Sequence, residues 1–157
     1  MYKAIAIAGL VLVASASIQD FPAFDMTHAN CAMDVTFAGK TCSTIHDELK
    51  TVIDGYAAGD VGKGVYEYVE SSSEYFWVTR TTPVHKYVDD IAFELSDSAD
   101  GCVVKSRSRS RTLSYYDYST NYCNMWNPLH NADTFTNQSV HDCKFPTDKP
   151  EETCNIY

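Results

Sequence analysis

Arginine and serine alternate without a break from Lys105 to Arg111, inside the run Gly101 to Asn121 that reads GCVVKSRSRSRTLSYYDYSTN. No other feature restricts the fold as much. A period of two marks a β-strand with unlike faces, so the serines face one way and the basic side chains the other. The upstream run Tyr87 to Leu95, YVDDIAFEL, is its partner across Ser96 to Gly101, which is a turn by composition. Pairing Ser96 with Gly101 sets Leu95 against Cys102, Phe93 against Val104 and Ile91 against Ser106 on an apolar face. The other face sets Glu94 with Val103, Ala92 with Lys105, Asp90 with Arg107 and Val88 with Arg109. A one-residue slip would place apolar groups against charges. On this parity Asp89 points toward the core near Ser108, while Arg107, Arg109 and Arg111 project outward at steps of about 6.6–7 Å.

The rest of the chain supplies elements for this hairpin to join. Cys31 to Phe37 alternates, with Met33, Val35 and Phe37 on one side, and forms a first strand ended by Gly39. The period then changes: Ile45, Leu49, Val52, Ile53 and Tyr56 recur at helical steps. Thr44 is positioned to cap that helix, with Asp47 three residues on, and Gly59 to stop it. Gly62 and Gly64 mark a turn. Val65 to Glu70 and Glu74 to Thr82, rich in Tyr, Val, Phe, Trp and Thr, form a hairpin around Ser71 to Ser73, closed by Pro83. Tyr122 to His130 has room for a short helix, limited by Pro128. From Asn131 the chain is polar and without period. The expected fold is α+β: an antiparallel sheet of four to five strands, one long amphipathic helix on one face, disulfide stabilisation and a loop-rich C-terminal tail. The expected organisation is a signal peptide over 1–17, a domain over 18–130 and a disulfide-pinned extension over 131–157.

Compartment follows from the start of the chain and from the cysteines. A short basic start precedes the apolar run Ala4 to Ala14, and Ala14-Ser15-Ala16 is a small-x-small cleavage pattern. The run falls short of the roughly 20 apolar residues that cross a bilayer. Cys31, Cys42, Cys102, Cys123, Cys143 and Cys154 are even in number, as in disulfide-bonded secreted chains. Their spacing lacks the paired pattern of a zinc site. The expected location is the secretory lumen or the extracellular space. Asn137-Gln138-Ser139 is an N-glycosylation sequon. The formal charge of −9 disfavours nucleic acid and anionic membranes as partners.

The central residues resemble a known family. Thr81-Thr82-Pro83 followed by Tyr87-Val88-Asp89-Asp90-Ile91-Ala92-Phe93-Glu94-Leu95 is similar to the R-T-P…F-x-D-D-V-E-F-R block of the domain of unknown function 1499 family. Val104 to Arg109 resembles its V-R-S-x-S-R block, and Asp117 and Asn121 resemble the Asp and Asn of its S-D-x-G-x-N-R ending. Ser119 stands where that pattern has Gly, and Tyr122-Cys123-Asn124 replaces its arginines. The resemblance implies a small α+β domain with helix cover over an antiparallel sheet. It implies no activity.

Candidate site residues come from the hairpin and its sequel. Arg107, Arg109 and Arg111 form a basic comb suited to an anionic group; the alternative is a face of salt bridges to Asp90 and Glu94. Asp89 is an acid among serines, either in a pocket with a raised pKa or in a polar network that fixes the fold. Asp90, Asp117 and Asn121 complete the set of candidate ligand-binding residues. His28, His46, His85, His130 and His141 show no ligand or nucleophile motif, and no nucleotide-binding motif occurs, so no cofactor or metal is expected. The expected function is non-catalytic binding of a small anionic or amphipathic ligand by an aromatic and basic sheet face. The alternatives are a self-associating component of an extracellular matrix, coat or filament, and a hydrolase-like enzyme using Asp89 with a histidine or tyrosine.

Overall fold

The structure is a computed structural model that describes residues 18–58 and 63–157. The segment expected to be a signal peptide and the turn residues Gly59 and Gly62 lie outside the described residues. A single antiparallel sheet forms the body of the domain. Its strands are β1 (Asn30–Ala38), β2 (Val65–Ser71), β3 (Tyr75–Thr81), β4 (Val88–Ser98), β5 (Gly101–Ser110) and β6 (Thr136–His141), in the order β2-β3-β4-β5-β1-β6. Among the described residues three α-helices accompany it: α1 (Cys42–Ala57), α2 (Thr120–Ala132) and α3 (Pro150–Cys154). The α+β class and the antiparallel sheet agree with the sequence. The single long helix does not, because α1 shares its face of the sheet with α2. The C-terminal segment is also more ordered than its polarity suggests, since it supplies the edge strand β6 and α3.

Alternation decides which side chains meet the helices. Met33, Val35 and Phe37 of β1, Phe76 and Val78 of β3, Ile91 and Phe93 of β4, and Val104 of β5 pack with Ile45, Leu49 and Ile53 of α1 and with Met125 and Leu129 of α2. Burying side chains of this kind contributes about 1.5–3 kcal/mol each. On the opposite face Trp77 and Ala92 are covered by Phe21 from the N-terminal segment. Thr41 caps α1, its hydroxyl accepting from the Thr44 amide at 3.2 Å. The helix therefore starts one turn earlier than a Thr44 cap would place it.

The β4–β5 hairpin keeps the expected parity but shifts the register by two residues. Ser98 pairs with Gly101, Leu95 with Val104, Phe93 with Ser106, Ile91 with Ser108 and Asp89 with Ser110. The turn is Ala99-Asp100, two residues long, and Ser96, Asp97 and Ser98 belong to the strand. Gly101 is required there: its φ is +137°, and a Cβ would stand 2.2 Å from the Phe37 carbonyl oxygen.

Pro128 lies inside α2 instead of ending it. Proline has no N–H for the carbonyl four residues back. That carbonyl, Asn124 O, accepts the Tyr66 hydroxyl at 3.3 Å instead. All six cysteines are paired, as Cys31–Cys143, Cys42–Cys102 and Cys123–Cys154. They tie β1 to the C-terminal segment, the start of α1 to β5, and α2 to α3. Among the described residues no helix is long and apolar enough to cross a membrane.

Candidate functional site

Where β3 and β5 end and β4 begins, beside the start of α2, the sheet opens into a cavity of about 610 Å³. Pockets of this size suit a small molecule. Arg80, Asp89 and Ser110 from the three strands line it, together with residues of the β3–β4 connection such as His85 and Tyr87, of the segment before α2 such as Leu113, Tyr116 and Asp117, and the C-terminal Ile156 and Tyr157.

Parity brings these strand residues to the helix side. Arg80 follows Phe76 and Val78 at two-residue steps, and Asp89 precedes Ile91 and Phe93 in the same way. Both are buried, at 2% exposure each, and they are cross-strand partners. Asn124 of α2 joins them. Its Oδ1 accepts from Arg80 Nη1 at 3.2 Å, and its Nδ2 donates to Asp89 Oδ2 at 2.9 Å and to Ser108 Oγ at 3.2 Å. Ser108 in turn donates to Asn121 Oδ1 at 2.8 Å, and Asn121 Nδ2 donates to Ser110 Oγ at 3.1 Å. The Ser110 hydroxyl returns the chain to Asp89. Two donor paths thus start at Asn124 and converge on one carboxyl group. Burial nevertheless pushes the Asp89 pKa up, and the hydrogen bonds from Asn124 and Ser110 and the charge of Arg80 offset this only in part.

Asp117 holds the start of α2. Its Oδ1 accepts from the Ser119 amide at 3.2 Å, and its Oδ2 accepts from Asn121 N at 3.0 Å and Asn121 Nδ2 at 2.7 Å. A carboxylate there also complements the helix dipole. Ser119, at the N-cap, makes no capping bond through its side chain and has a φ of +69°. Glycine adopts that left-handed conformation at lower cost.

The structure therefore places Asp89 and Asp117 in the cavity wall, with Asn121 buried behind them and bonded to Ser110 and Asp117, and places Asp90, Arg107, Arg109 and Arg111 on the opposite face. There Arg107 pairs with Glu94 at 2.8 Å and lies over the Phe21 ring. Arg109 pairs with Asp25 at 2.6 Å. Arg111 grips Asp90 through two bonds of 2.8 and 2.7 Å, while Trp77 Nε1 donates to Asp90 at 2.9 Å. The chain's own N-terminal segment covers part of this face. Arg80, Asn124 and Tyr157 are the site residues that sequence reasoning missed. Arg80 lies at two-residue steps from Phe76 and Val78, but burial of both faces of β3 masks that spacing in the sequence. Among the described residues no cluster of His, Cys, Asp or Glu of metal-binding composition occurs.

Fold and site together define a disulfide-bonded α+β domain with a cavity at one end of its sheet. Residues 15–125 match the model of a family described as a protein of unknown function (DUF1499), and the chain belongs to that family. Comparison with curated proteins and with solved structures gave no match.

Proposed function

We propose that this protein is a secreted, non-catalytic binding domain that holds a small amphipathic molecule in the cavity beside α2. One observation carries the reading. Val84, Tyr87, Leu113, Tyr116, Tyr118 and Ile156 are all exposed, and all line this cavity. Apolar side chains gathered in this way mark a binding surface more often than scattered ones do. Tyrosine adds a ring for an apolar body and a hydroxyl for its polar edge. The floor beneath them is a connected polar network, which fixes orientation without reactive groups poised to act. Asp89 bonds to Asn124 and Ser110, and His85 stacks on Tyr87 instead of reaching a carboxylate. That arrangement favours holding over hydrolysis. Three disulfides and the N-terminal apolar run support an oxidising, secretory destination.

Native mass spectrometry of unreduced protein from its source tests the reading. The expected result is a small-molecule mass excess that is released on unfolding. A companion titration uses the amphiphile 8-anilinonaphthalene-1-sulfonate, whose fluorescence should rise with the native protein and rise less with Tyr116→Ser or Leu113→Ser. A source protein without excess mass, together with no response to the dye, would refute the proposal.

A further inference from the structure

The charge of the bound molecule can also be argued; this step rests on the binding reading above. Arg80 is buried and lines the cavity, yet the oxygens its guanidinium meets are neutral: Asn124 Oδ1 at 3.2 Å and the Lys63 carbonyl at 3.1 Å. Among the described residues no ion pair includes Arg80. A guanidinium has more N–H donors than two oxygens can take, and a buried cation without an opposing charge in contact is costly. Asp89, opposite Arg80 across the ladder, acts on it through space without an ion pair, and Asn124 bonds to both. The Tyr157 ring stands over the guanidinium, with the centroid 5.8 Å from Cζ, and Gly64 is so close that a Cβ there would lie 2.7 Å from Arg80 Nε. Lys63, a second cation at the wall, donates to the Asn155 carbonyl at 2.8 Å, again a neutral partner.

The carboxylates at this end of the sheet are in the opposite position. Asp117 accepts three hydrogen bonds from Ser119 and Asn121. Asp89 accepts from Asn124 and from Ser110. An incoming cation would meet carboxylates already engaged with donors. An incoming anion would meet two cations that, among the described residues, donate hydrogen bonds to uncharged oxygens.

We infer that the cavity takes an amphipathic anion, with its oxyanion head against Arg80 and its apolar body against Tyr116, Leu113 and Ile156. Charge-assisted bonds to a guanidinium are the strong ones, and a planar head such as a carboxylate matches its fork geometry.

Three probes with one tail and different heads separate the possibilities: decanoate, decanol and decylamine. Each is titrated into the oxidised protein near neutral pH and followed by nitrogen–proton correlation NMR. Decanoate should bind at least roughly tenfold tighter than the other two and shift the Arg80 side-chain signal. Arg80→Gln should remove the preference, leaving the three probes alike, while Tyr116→Ser should weaken all three together. Equal affinity of the three heads for the unaltered protein, or tighter binding of decylamine, overturns the inference and leaves the binding reading standing. Binding of none of the probes sinks both. The comparison of heads on the unaltered protein needs no variant, so a misfolded Arg80→Gln does not weaken the test.

Discussion

Arg80 and Asp89 stand opposite each other on β3 and β4, both buried, and Asn124 of α2 binds one with its carbonyl and the other with its amide. Opposite charges placed across a ladder would ordinarily meet directly. Here an uncharged side chain from another element sits between them. The pair therefore fastens the helix to the sheet, and the guanidinium keeps donors for something else.

Removing that link is expected to be costly. Asn124→Ala leaves two buried ionisable groups each short of a partner, at about 1–3 kcal/mol per group. Urea denaturation should show a loss of about 2–4 kcal/mol. A loss below about 1 kcal/mol would mean that the link carries little energy.

Asp89 should make stability depend on pH in a defined direction. Its folded pKa is raised above the ordinary 3.8, with burial the largest cause. Its contribution is complete below the unfolded pKa and is lost as pH rises through the folded value. Asp89→Asn cannot ionise. The difference in Tm, variant minus wild type, should therefore increase from about pH 4 toward neutrality. Arg80 and Asp117 are the charged groups that act on Asp89 across this range. A flat or falling difference would contradict the assignment.

Ser119 pays a conformational cost in a left-handed conformation that glycine adopts more readily. Its φ is +69° and its side chain makes no capping bond. Ser119→Gly should raise stability by about 0.4–1 kcal/mol in denaturant melts. Destabilisation would show that the hydroxyl has a role that this geometry does not reveal.

The outer-face arginines should differ from one another. Arg107→Gln and Arg109→Gln remove pairs whose carboxylates are part-exposed, and each should cost under about 1 kcal/mol. Arg111→Gln leaves Asp90, 1% exposed, with Trp77 as its remaining side-chain donor, and should cost about 2–3 kcal/mol. None should alter amphiphile titrations. A loss of binding in any of them would return the ligand to this face.

The Cys123–Cys154 bridge should matter to the cavity beyond its effect on stability. It holds α3 against α2 and so places Ile156 and Tyr157 in the wall. Replacing both cysteines by serine should cost about 2–4 kcal/mol and also weaken amphiphile binding. The same replacement at Cys42 and Cys102 should cost similar stability but leave binding intact. Equal losses of binding in both would show that the effect is global.

The sequence carried parity better than position. A period of two decides which side chains share a face, so Asp89 among the serines was readable. It does not say where the turn begins, and Ser96-Asp97-Ser98 looks like a loop although it is strand. Arg80 was hidden because β3 is buried on both faces, which erases the alternation that would have set it apart. The part of α2 beyond Pro128 was hidden because the compensating donor, Tyr66, lies far away in the chain. Distant pairings of this kind leave no local pattern. The same holds for Tyr157 over Arg80.

The two outermost strands, β2 and β6, each break register with their neighbour, between Tyr68 and Glu70 and opposite Asp34 to Thr36. Open strand edges are where one sheet can recruit another, and irregular, polar edges resist it. Asn137, exposed and at a φ of +52°, lies in the second irregularity, so a sugar attached there would crowd that border further. A chain that polymerised by adding strand to strand would keep at least one long, regular border. This sheet has an interruption at both of its borders, a pattern that disfavours growth beyond its own six strands.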